Sequence, residues 1–505
     1  MFQMVFNSAI NVLGTLATFL IMFFLTPFMI EHLGMEAWGI WTTIGSILAY
    51  SYLLNVGLSN SITRYVPIAL TKQDPAMLNR IISTSTLFYA LGGGVMAALV
   101  LGLGPFVPGF INAPAGLANA TLVLFLCTGL SVALTMPMQT SIGMLTGLQR
   151  YDLDNAVRLI LNVLRAAAVV VFLRLGYGLV AMALIGGLVQ VATNVSYWVF
   201  IRRLLPNLRL ARRYLDWPLF KELISFGFNT FVYVMGSLLI YRSDLVVIGA
   251  LLGPRDAAVY AVPVILTGMI SSVITSATRA MQPAAAVEFA KGNRALLGDY
   301  YAYGVRHTTL VLAPLTAFLV IKGRDFIDLW VGADFGLSAA LLGILLVGHF
   351  FYMSQRSAFE VLSAAGRHKF FGRITIATGV ANVAISVTLL KLTNLRLFGV
   401  AWGTFISMTV LSGLVLFLYC CRELQVSRRR VVRESYVAGL ISILPLAGVL
   451  LWLDRYWHAR SWRAFMAQGL VAGAVWLPTW LLLLQGEEKA KLRSGLVRVG
   501  RKLRP

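Results

Sequence analysis

The chain has 505 residues, of which 58% are hydrophobic and 12% are charged, and its mean hydropathy is +0.80. Soluble proteins carry about 25% charged residues, so this composition excludes a cytosolic enzyme and a disordered chain. The net charge of +22 does not indicate a nucleic-acid partner, because the basic residues lie in short segments between long apolar runs. At about 20 residues per span, these runs predict an all-α polytopic membrane protein.

Apolar windows predict fourteen membrane-spanning helices. The first apolar run is assigned as a span and not as a removed signal peptide, because no basic region precedes it and no small-residue cleavage site follows it. Asp216 is a suitable N-cap residue and Pro218 a suitable first-turn proline, so the two predict the start of the helix that contains span 7. In chain order, the predicted spans 1 to 14 cover residues 6–30, 37–63, 81–106, 117–147, 156–175, 177–201, 223–252, 257–282, 304–322, 337–364, 371–391, 397–421, 435–453 and 462–484.

The distribution of basic residues predicts the orientation of these spans. Of the 42 Lys and Arg residues, 30 fall in one set of alternating loops and nine in the other. Because basic loops stay in the cytoplasm, the richer set is predicted to be cytoplasmic, together with both termini and the link between spans 6 and 7. The basic tail, Lys489–Arg504, is expected either to touch anionic lipid or to remain solvated.

A short repeat relates the two halves of the chain. Leu33–Gly34 and Leu252–Gly253 are each followed by an aromatic residue seven positions after the glycine, at an offset of 219 residues. Six spans separate the copies, and this even number predicts parallel repeats related by an axis along the membrane normal. The predicted domains are residues 1–216 with spans 1–6, residues 217–425 with spans 7–12, and residues 426–505 with spans 13–14 and the basic tail.

The same turns also carry a family resemblance. The chain resembles Wzx-type polysaccharide-repeat flippases of the multidrug/oligosaccharidyl-lipid/polysaccharide exporter superfamily. The stretches that carry the resemblance are the Leu33–Gly39 turn, Asn55–Leu58, Arg64–Tyr65, Gly147–Tyr151, Ser243–Gly249, Tyr260–Val262 and Leu329–Gly332.

The resemblance implies two six-helix lobes in a V around a central cavity that opens alternately to each side, with spans 13 and 14 added to this core. It implies transfer of an undecaprenyl-diphosphate-linked oligosaccharide from the inner to the outer leaflet of the bacterial cytoplasmic membrane, for O-antigen, capsule or exopolysaccharide synthesis. A polysaccharide polymerase and the chain-length machinery are then candidate partners. Two alternatives stay open: a lipid II flippase, which the fourteen spans favour, and a cation-coupled drug antiporter of the same superfamily.

Charged residues inside spans are the candidate site residues, because each costs about 2.5–3.5 kcal/mol on insertion scales and usually faces a cavity or a partner. Arg165 lies midway along span 5 and forms a polar stripe with Arg158 and Asn162. Its guanidinium is suited to bind the substrate diphosphate in a bidentate manner. The alternative is an arginine packed against the backbone carbonyls of a neighbouring helix.

Arg242 and Asp244 lie in span 7 on different sides of the helix, so they are not expected to pair with each other. Asp244 is expected either to take up a proton during transport or to serve as a counter-ion for Arg165. Arg356 and Glu360 are four residues apart in span 10, which predicts an ion pair within one helix. Arg242 and Arg356 are also candidate substrate-binding residues, and Glu360 is a candidate ion-coupling or counter-ion residue.

Arg64 and Arg279 lie near the cytoplasmic ends of spans 2 and 8. They are expected either to extend to the interface or to form a cationic mouth that captures the diphosphate. The sequence contains no phosphate-binding loop, no metal-ligand spacing and no catalytic triad in a large loop. We therefore expect a transporter with no cofactor, driven by an ion gradient or by the gradient of its substrate.

Overall fold

A computed structural model of the chain describes residues 2–55, 57–279 and 281–484. The predicted basic tail, Lys489–Arg504, and the C-terminus lie outside the described residues. Over the described ranges the secondary structure consists of helices joined by turns. This architecture confirms the predicted all-α class.

Twenty-two α-helices follow one another along the described chain. The first twelve are α1 (Phe2–Leu33), α2 (Met35–Ala49), α3 (Leu58–Thr71), α4 (Pro75–Leu103), α5 (Val107–Phe110), α6 (Ala118–Thr135), α7 (Gln139–Gly147), α8 (Tyr151–Arg174), α9 (Gly178–Leu204), α10 (Trp217–Tyr241), α11 (Ser243–Leu251) and α12 (Pro254–Thr278). The others are α13 (Met281–Ala290), α14 (Arg294–Trp330), α15 (Gly336–Ser354), α16 (Arg356–Ala364), α17 (His368–Leu392), α18 (Leu397–Ser407), α19 (Leu416–Glu423), α20 (Arg428–Val431), α21 (Ala438–Tyr456) and α22 (Trp462–Leu483). Two π-helical segments, Met408–Val415 and Val432–Val437, precede α19 and α21.

The protein is a multi-pass membrane protein. Ten stretches of helix in the described residues are long and apolar enough to cross a membrane, and a bent pair within α10 raises the number to eleven. The other three predicted spans, residues 6–30, 37–63 and 304–322, also fall in helices, namely α1, α2 with α3, and α14. The observed helices are therefore consistent with the predicted fourteen spans.

The described residues divide into two compact units. Unit 1 runs to Ile265 and also contains His368–Ser407, whereas unit 2 contains Leu266–Arg367 and the described residues from Met408 onward. The core of unit 1 is formed by fully buried aliphatic and aromatic side chains of α2, α3 and α4, with further side chains from α6, α7 and α9. The predicted lobe boundaries at residues 216 and 425 remain predictions.

The predicted start of the helix that contains span 7 is confirmed. Asp216 is the N-cap of α10, and its carboxylate accepts a hydrogen bond from the Leu219 N–H at 3.0 Å. Pro218 occupies the first turn, where its missing N–H leaves no hydrogen bond unmade. This cap fixes where α10 begins and hence the register of the residues that follow it.

Spans 2, 7 and 10 are interrupted, which corrects the expectation that each is one continuous helix. Span 2 passes through a 3₁₀ turn at Tyr50–Asn55, span 7 breaks at Arg242, and span 10 breaks at Gln355. At the last break the Gln355 side chain accepts a hydrogen bond from the Tyr301 hydroxyl at 2.8 Å and donates one to the Tyr436 hydroxyl at 2.8 Å. These two tyrosines, which are distant in sequence, hold the Gln355 side chain at the break. No neighbouring proline or glycine in the sequence indicates that the helix is interrupted there.

The repeated turn has a glycine of positive φ and the same hydrogen bond in both copies. Gly34 and Gly253 have positive φ angles of 79° and 97°, a conformation that favours glycine. In each copy the glycine carbonyl accepts a hydrogen bond from the N–H four residues later, at 3.0 and 3.2 Å. The copies also touch, because a Cβ atom on Gly39 would overlap the carbonyl oxygen of Pro254. The short sequence repeat is therefore accompanied by a repeat of the local turn, whereas the parallel relation of the two halves remains a prediction.

In unit 2, α21 and α22 pack along α14 and share a small core of Leu446, Leu450 and Ala472 with side chains of α14. Two buried cations on α14 reach the same pair of helices. Lys322, which is fully buried, contacts Asp454 of α21 at 2.8 Å. Arg306 donates to the carbonyl oxygen of Leu483 at 2.5 Å, at the end of α22. Span 13 is thus attached to α14 at its Asp454 end, and span 14 at its Leu483 end.

Candidate functional site

Arg165 faces a cavity inside unit 1. Residues of helices α2, α6, α8 and α9 line this cavity, which has a volume of about 210 Å³. Its wall combines the Arg165 guanidinium with an indole, an amide and two hydroxyl groups, from Trp41, Gln190, Thr128 and Ser131. The cavity also has free space beside Gly45, because a Cβ atom placed on this residue would have no other atom within 4 Å. The cavity, which we call the Arg165 cavity, is therefore a cationic and hydrogen-bonding space at membrane depth.

The Arg165 side chain is half-buried. Within the described ranges it has no acidic partner and forms neither an ion pair nor a hydrogen bond. Arg158, two turns earlier on α8, differs, because its Nε contacts the Asp154 carboxylate at 2.7 Å. Asp154 also accepts a hydrogen bond from the Tyr197 hydroxyl at 2.6 Å. In the predicted polar stripe, Arg158 at the start of the helix is therefore paired with a carboxylate. Arg165 at mid-helix is not, and we call its charge uncompensated.

Asp244 is the centre of a second site in unit 1. The side chain is buried, and its carboxylate accepts hydrogen bonds from the Tyr260 hydroxyl at 2.9 Å and the Asn382 amide at 2.9 Å. A third comes from the Thr404 hydroxyl at 2.6 Å. These partners come from α12, α17 and α18. The structure does not bring Asp244 and Arg165 together, so the counter-ion alternative is not supported by the contacts of either residue.

Oxygen atoms outnumber the available protons in this cluster. The single hydroxyl proton of Thr404 has three acceptors within reach: Asp244 at 2.6 Å, the Asn382 amide oxygen at 3.0 Å and the Val400 carbonyl at 3.2 Å. The Ser386 hydroxyl lies 3.3 Å from both the Asn382 and the Val400 oxygens. Because one hydroxyl donates one proton, several close oxygen pairs lack a hydrogen between them. Such a set of oxygens with one carboxylate suits a proton or a small cation. We call it the Asp244 cluster.

The predicted ion pair in span 10 is present in unit 2. Arg356 Nη2 lies 3.1 Å from Glu360 Oε1, and the Glu360 side chain is 1% exposed. The Arg356 guanidinium also lies over the Phe359 ring, 4.3 Å from its centroid. Because Arg356 is the first residue of α16, the break at Gln355 places this pair at the start of a new helix.

The remaining predicted cations, Arg64, Arg242 and Arg279, are exposed in the structure. Arg64 lies over the Phe226 ring at 4.5 Å, a cation–π contact that holds it near α10. The neighbouring Tyr65 donates a hydrogen bond of 2.5 Å to Glu222, and this bond raises the pKa of Tyr65 above its usual value. Arg64 therefore belongs to an aromatic and charged group at the start of unit 1's α10.

Sequence reasoning found Arg165 and Asp244 but missed most of the groups around them. Asn382 and Thr404 are 138 and 160 residues away from Asp244 in the chain. A signal was available for Asn382, which is a polar residue in the middle of predicted span 11. No spacing rule could have identified Trp41 and Gln190 as walls of the Arg165 cavity.

Comparisons with known protein sequences agree with this architecture. The family described as polysaccharide biosynthesis protein matches residues 4–286. The chain is similar to "Uncharacterized membrane protein EpsK" of Bacillus subtilis (strain 168), with 24% identity covering 96% of each chain. It is also similar to "Putative O-antigen transporter" of Shigella flexneri, with 23% identity covering 79% of this chain and 93% of that protein.

Comparisons with solved structures establish the fold. The inward closed conformation of the lipid II flippase MurJ matches with a TM-score of 0.68 and 14% identity, covering 94% of this chain and 98% of that chain. An inward-facing multidrug resistance MATE family transporter of the MOP superfamily matches with a TM-score of 0.64 and 17% identity, covering 77% and 93%. The chain therefore has the fold of the MOP-superfamily transporters.

Proposed function

Because this chain belongs to the polysaccharide biosynthesis protein family, we propose that it is a flippase for a lipid-linked oligosaccharide. The cargo is an undecaprenyl-diphosphate-linked sugar chain, carried by alternating access from the inner to the outer leaflet of the bacterial cytoplasmic membrane. The product supplies a surface polysaccharide such as O-antigen, capsule or exopolysaccharide. A polymerase and the chain-length machinery are the proposed next partners of that product.

The observation that carries this proposal is the uncompensated charge of Arg165 in its cavity. A cation at membrane depth is costly unless a partner is supplied, and a diphosphate supplies one each time the cargo binds. The guanidinium is always charged and matches two phosphate oxygens at once. Gln190 and Thr128 line the same space and can donate further hydrogen bonds to the phosphate, because the buried Thr128 hydroxyl has no hydrogen-bond partner among the described residues. A cationic drug would be repelled here, which favours an anionic cargo over the drug-antiporter alternative.

The proposed energy source is a proton or a small cation bound at the Asp244 cluster. The carboxylate is buried and lies among more oxygen atoms than protons. Binding of a cation would draw these oxygens inward and release their present hydrogen bonds. Because the side chains of the cluster belong to four helices, this change would alter how α11, α12, α17 and α18 pack together.

The test uses the full-length protein in proteoliposomes that carry undecaprenyl-diphosphate-linked oligosaccharide in the inner monolayer. We expect the sugar to become accessible to an impermeant lectin at a rate that depends on the protein. Parallel vesicles contain lipid II or a cationic dye. Transport of the oligosaccharide lipid alone supports the proposal, whereas transport of lipid II alone or of the dye alone would assign the chain to one of the two alternatives.

The proposed orientation makes its own prediction. Reporter enzymes fused after Glu222 and after Pro505 should give cytoplasmic signals, because the basic loops are predicted to face the cytoplasm. A fusion in the 454–463 loop is the matched control and should give an external signal. An external signal after Glu222 or after Pro505 would contradict the fourteen-span topology.

A further inference from the structure

A second polar space in unit 1 lies on its surface, away from the Arg165 cavity. It is a groove of about 490 Å³ between the first half of α10 and the start of α17. The groove is lined by Phe220, Lys221, Ile224, Ser225, Phe228 and Lys369. The five residues from α10 follow helical spacing and so form one continuous face of that helix. We call it the α10–α17 groove.

The ionisable side chains that line this groove are all positively charged. Its two ionisable side chains are Lys221 and Lys369, both exposed, and neither forms an ion pair in the described parts of the chain. The nearest acidic residues on α10 are engaged elsewhere: Asp216 caps the helix and contacts Arg80 at 3.3 Å, and Glu222 accepts the hydrogen bond from Tyr65. The groove is therefore complementary to an anion.

Helix α17 adds a further preference for negative charge. It begins at His368, so Lys369 lies in its first turn, where backbone N–H groups have no partner within the helix. The partial positive charge of a helix N-terminus adds to that of the ammonium group. Phosphate is the biological anion that this combination of lysine and backbone N–H groups binds well.

The polarity of the groove changes along its length. Lys221 is at the end near the start of α10, and its ammonium lies 5.9 Å from the centre of the Trp217 ring, which is 64% exposed. Ile224 and Phe228 follow, and Phe228 lies about 10 Å further along the helix axis. Tryptophan and lysine are typical of the membrane interface, whereas phenylalanine and isoleucine suit the hydrocarbon region. The groove thus matches an amphiphile with an anionic head and an apolar chain.

We propose that the α10–α17 groove binds one anionic phospholipid of the cytoplasmic leaflet. Its phosphate lies between the ammonium groups of Lys221 and Lys369, and one acyl chain extends along Ile224 and Phe228. This site is separate from the Arg165 cavity and does not depend on the identity of the transported cargo. A lipid held there would occupy the surface of both α10 and α17.

The test is native mass spectrometry of the full-length protein in detergent, titrated with phosphatidylglycerol and, separately, with phosphatidylcholine of the same chain length. We expect one phosphatidylglycerol to bind more tightly than phosphatidylcholine. The double variant Lys221→Gln with Lys369→Gln should bind it about 25-fold more weakly, because each lysine near an anionic lipid is worth about a fivefold gain. The double variant Lys221→Arg with Lys369→Arg should retain binding.

The matched control replaces two exposed lysines outside the groove, Lys72→Gln with Lys391→Gln; Lys391 lies at the other end of α17. This control should bind phosphatidylglycerol like the unchanged protein. Equal loss in the control and in the groove variant would overturn the proposal, since it would reflect overall charge. Displacement of the lipid by inorganic phosphate alone, or a clear preference for undecaprenyl diphosphate, would also overturn it by identifying a different ligand.

Discussion

Replacement of Arg165 by alanine is expected to reduce transport of the oligosaccharide lipid at least about a hundredfold, because two charge-assisted hydrogen bonds to phosphate are lost. The protein should still fold and insert, since the arginine has no partner to leave unpaired in the described residues and its removal eliminates an insertion cost. Arg165→Lys should recover only part of the rate, because a point charge cannot make the bidentate contact. The measurement is the lectin-accessibility rate in proteoliposomes.

Arg174→Ala provides the matched control for this experiment. Arg174 is an exposed arginine on the same helix, nine residues further along, and so it faces the opposite side of α8. We expect this variant to transport at the rate of the unchanged protein. Full activity of Arg165→Ala would reduce Arg165 to a packing residue and remove the main support for diphosphate binding in the Arg165 cavity.

The second large effect is expected for Asp244→Asn. The substitution keeps the shape of the side chain but removes the only formal charge in the Asp244 cluster. A neutral amide attracts a proton or a small cation much less than a carboxylate does. We expect the variant to lose the acceleration that an imposed ion gradient gives to the unchanged protein. Sodium and proton gradients are applied separately, so the gradient that stimulates the unchanged protein identifies the ion.

The control for this variant is Asp256→Asn. Asp256 is also in unit 1, but it forms an ion pair of 2.7 Å with Arg396, and the Arg396 side chain is 67% exposed. Exposed pairs contribute about 0–1 kcal/mol, so this control should keep both its stability and its response to the gradient. An unchanged gradient response in Asp244→Asn would show that the driving ion, if any, binds elsewhere.

The helical fold could be predicted from the sequence to a large extent because its signals are local. Apolar runs gave the positions of the helices, and the Asp216 cap with Pro218 gave the start of α10 to the residue. Gly34 and Gly253, which belong to a repeat of only a few residues, share a positive φ. In each case, the residues that carry the signal are close in sequence to the structure they determine.

The break at Gln355 and the sites depend on contacts between distant residues, which a single sequence does not display. The break at Gln355 is held by Tyr301 and Tyr436, which lie on other helices. Asp244 could be selected because a charge in a span is rare. Its oxygen partners Asn382 and Thr404 are ordinary polar residues of other spans, and only folding places them beside the carboxylate.

The length of α14 has a mechanical consequence. Its 37 residues extend about 55 Å, whereas the hydrocarbon core of a bilayer is about 30 Å thick. Even at a tilt of about 40°, the upper end of the usual range, the helix is longer than the hydrocarbon core is thick. Part of the helix therefore lies in water or among headgroups.

Pro314 lies inside the helix and removes one backbone hydrogen bond there. Measured from that proline, the N-terminal arm is about 30 Å long, and a bend of about 10° would move its tip by about 5 Å. Helix α14 can thus act as a lever that converts a small angular change at one proline into a displacement of about one helical turn.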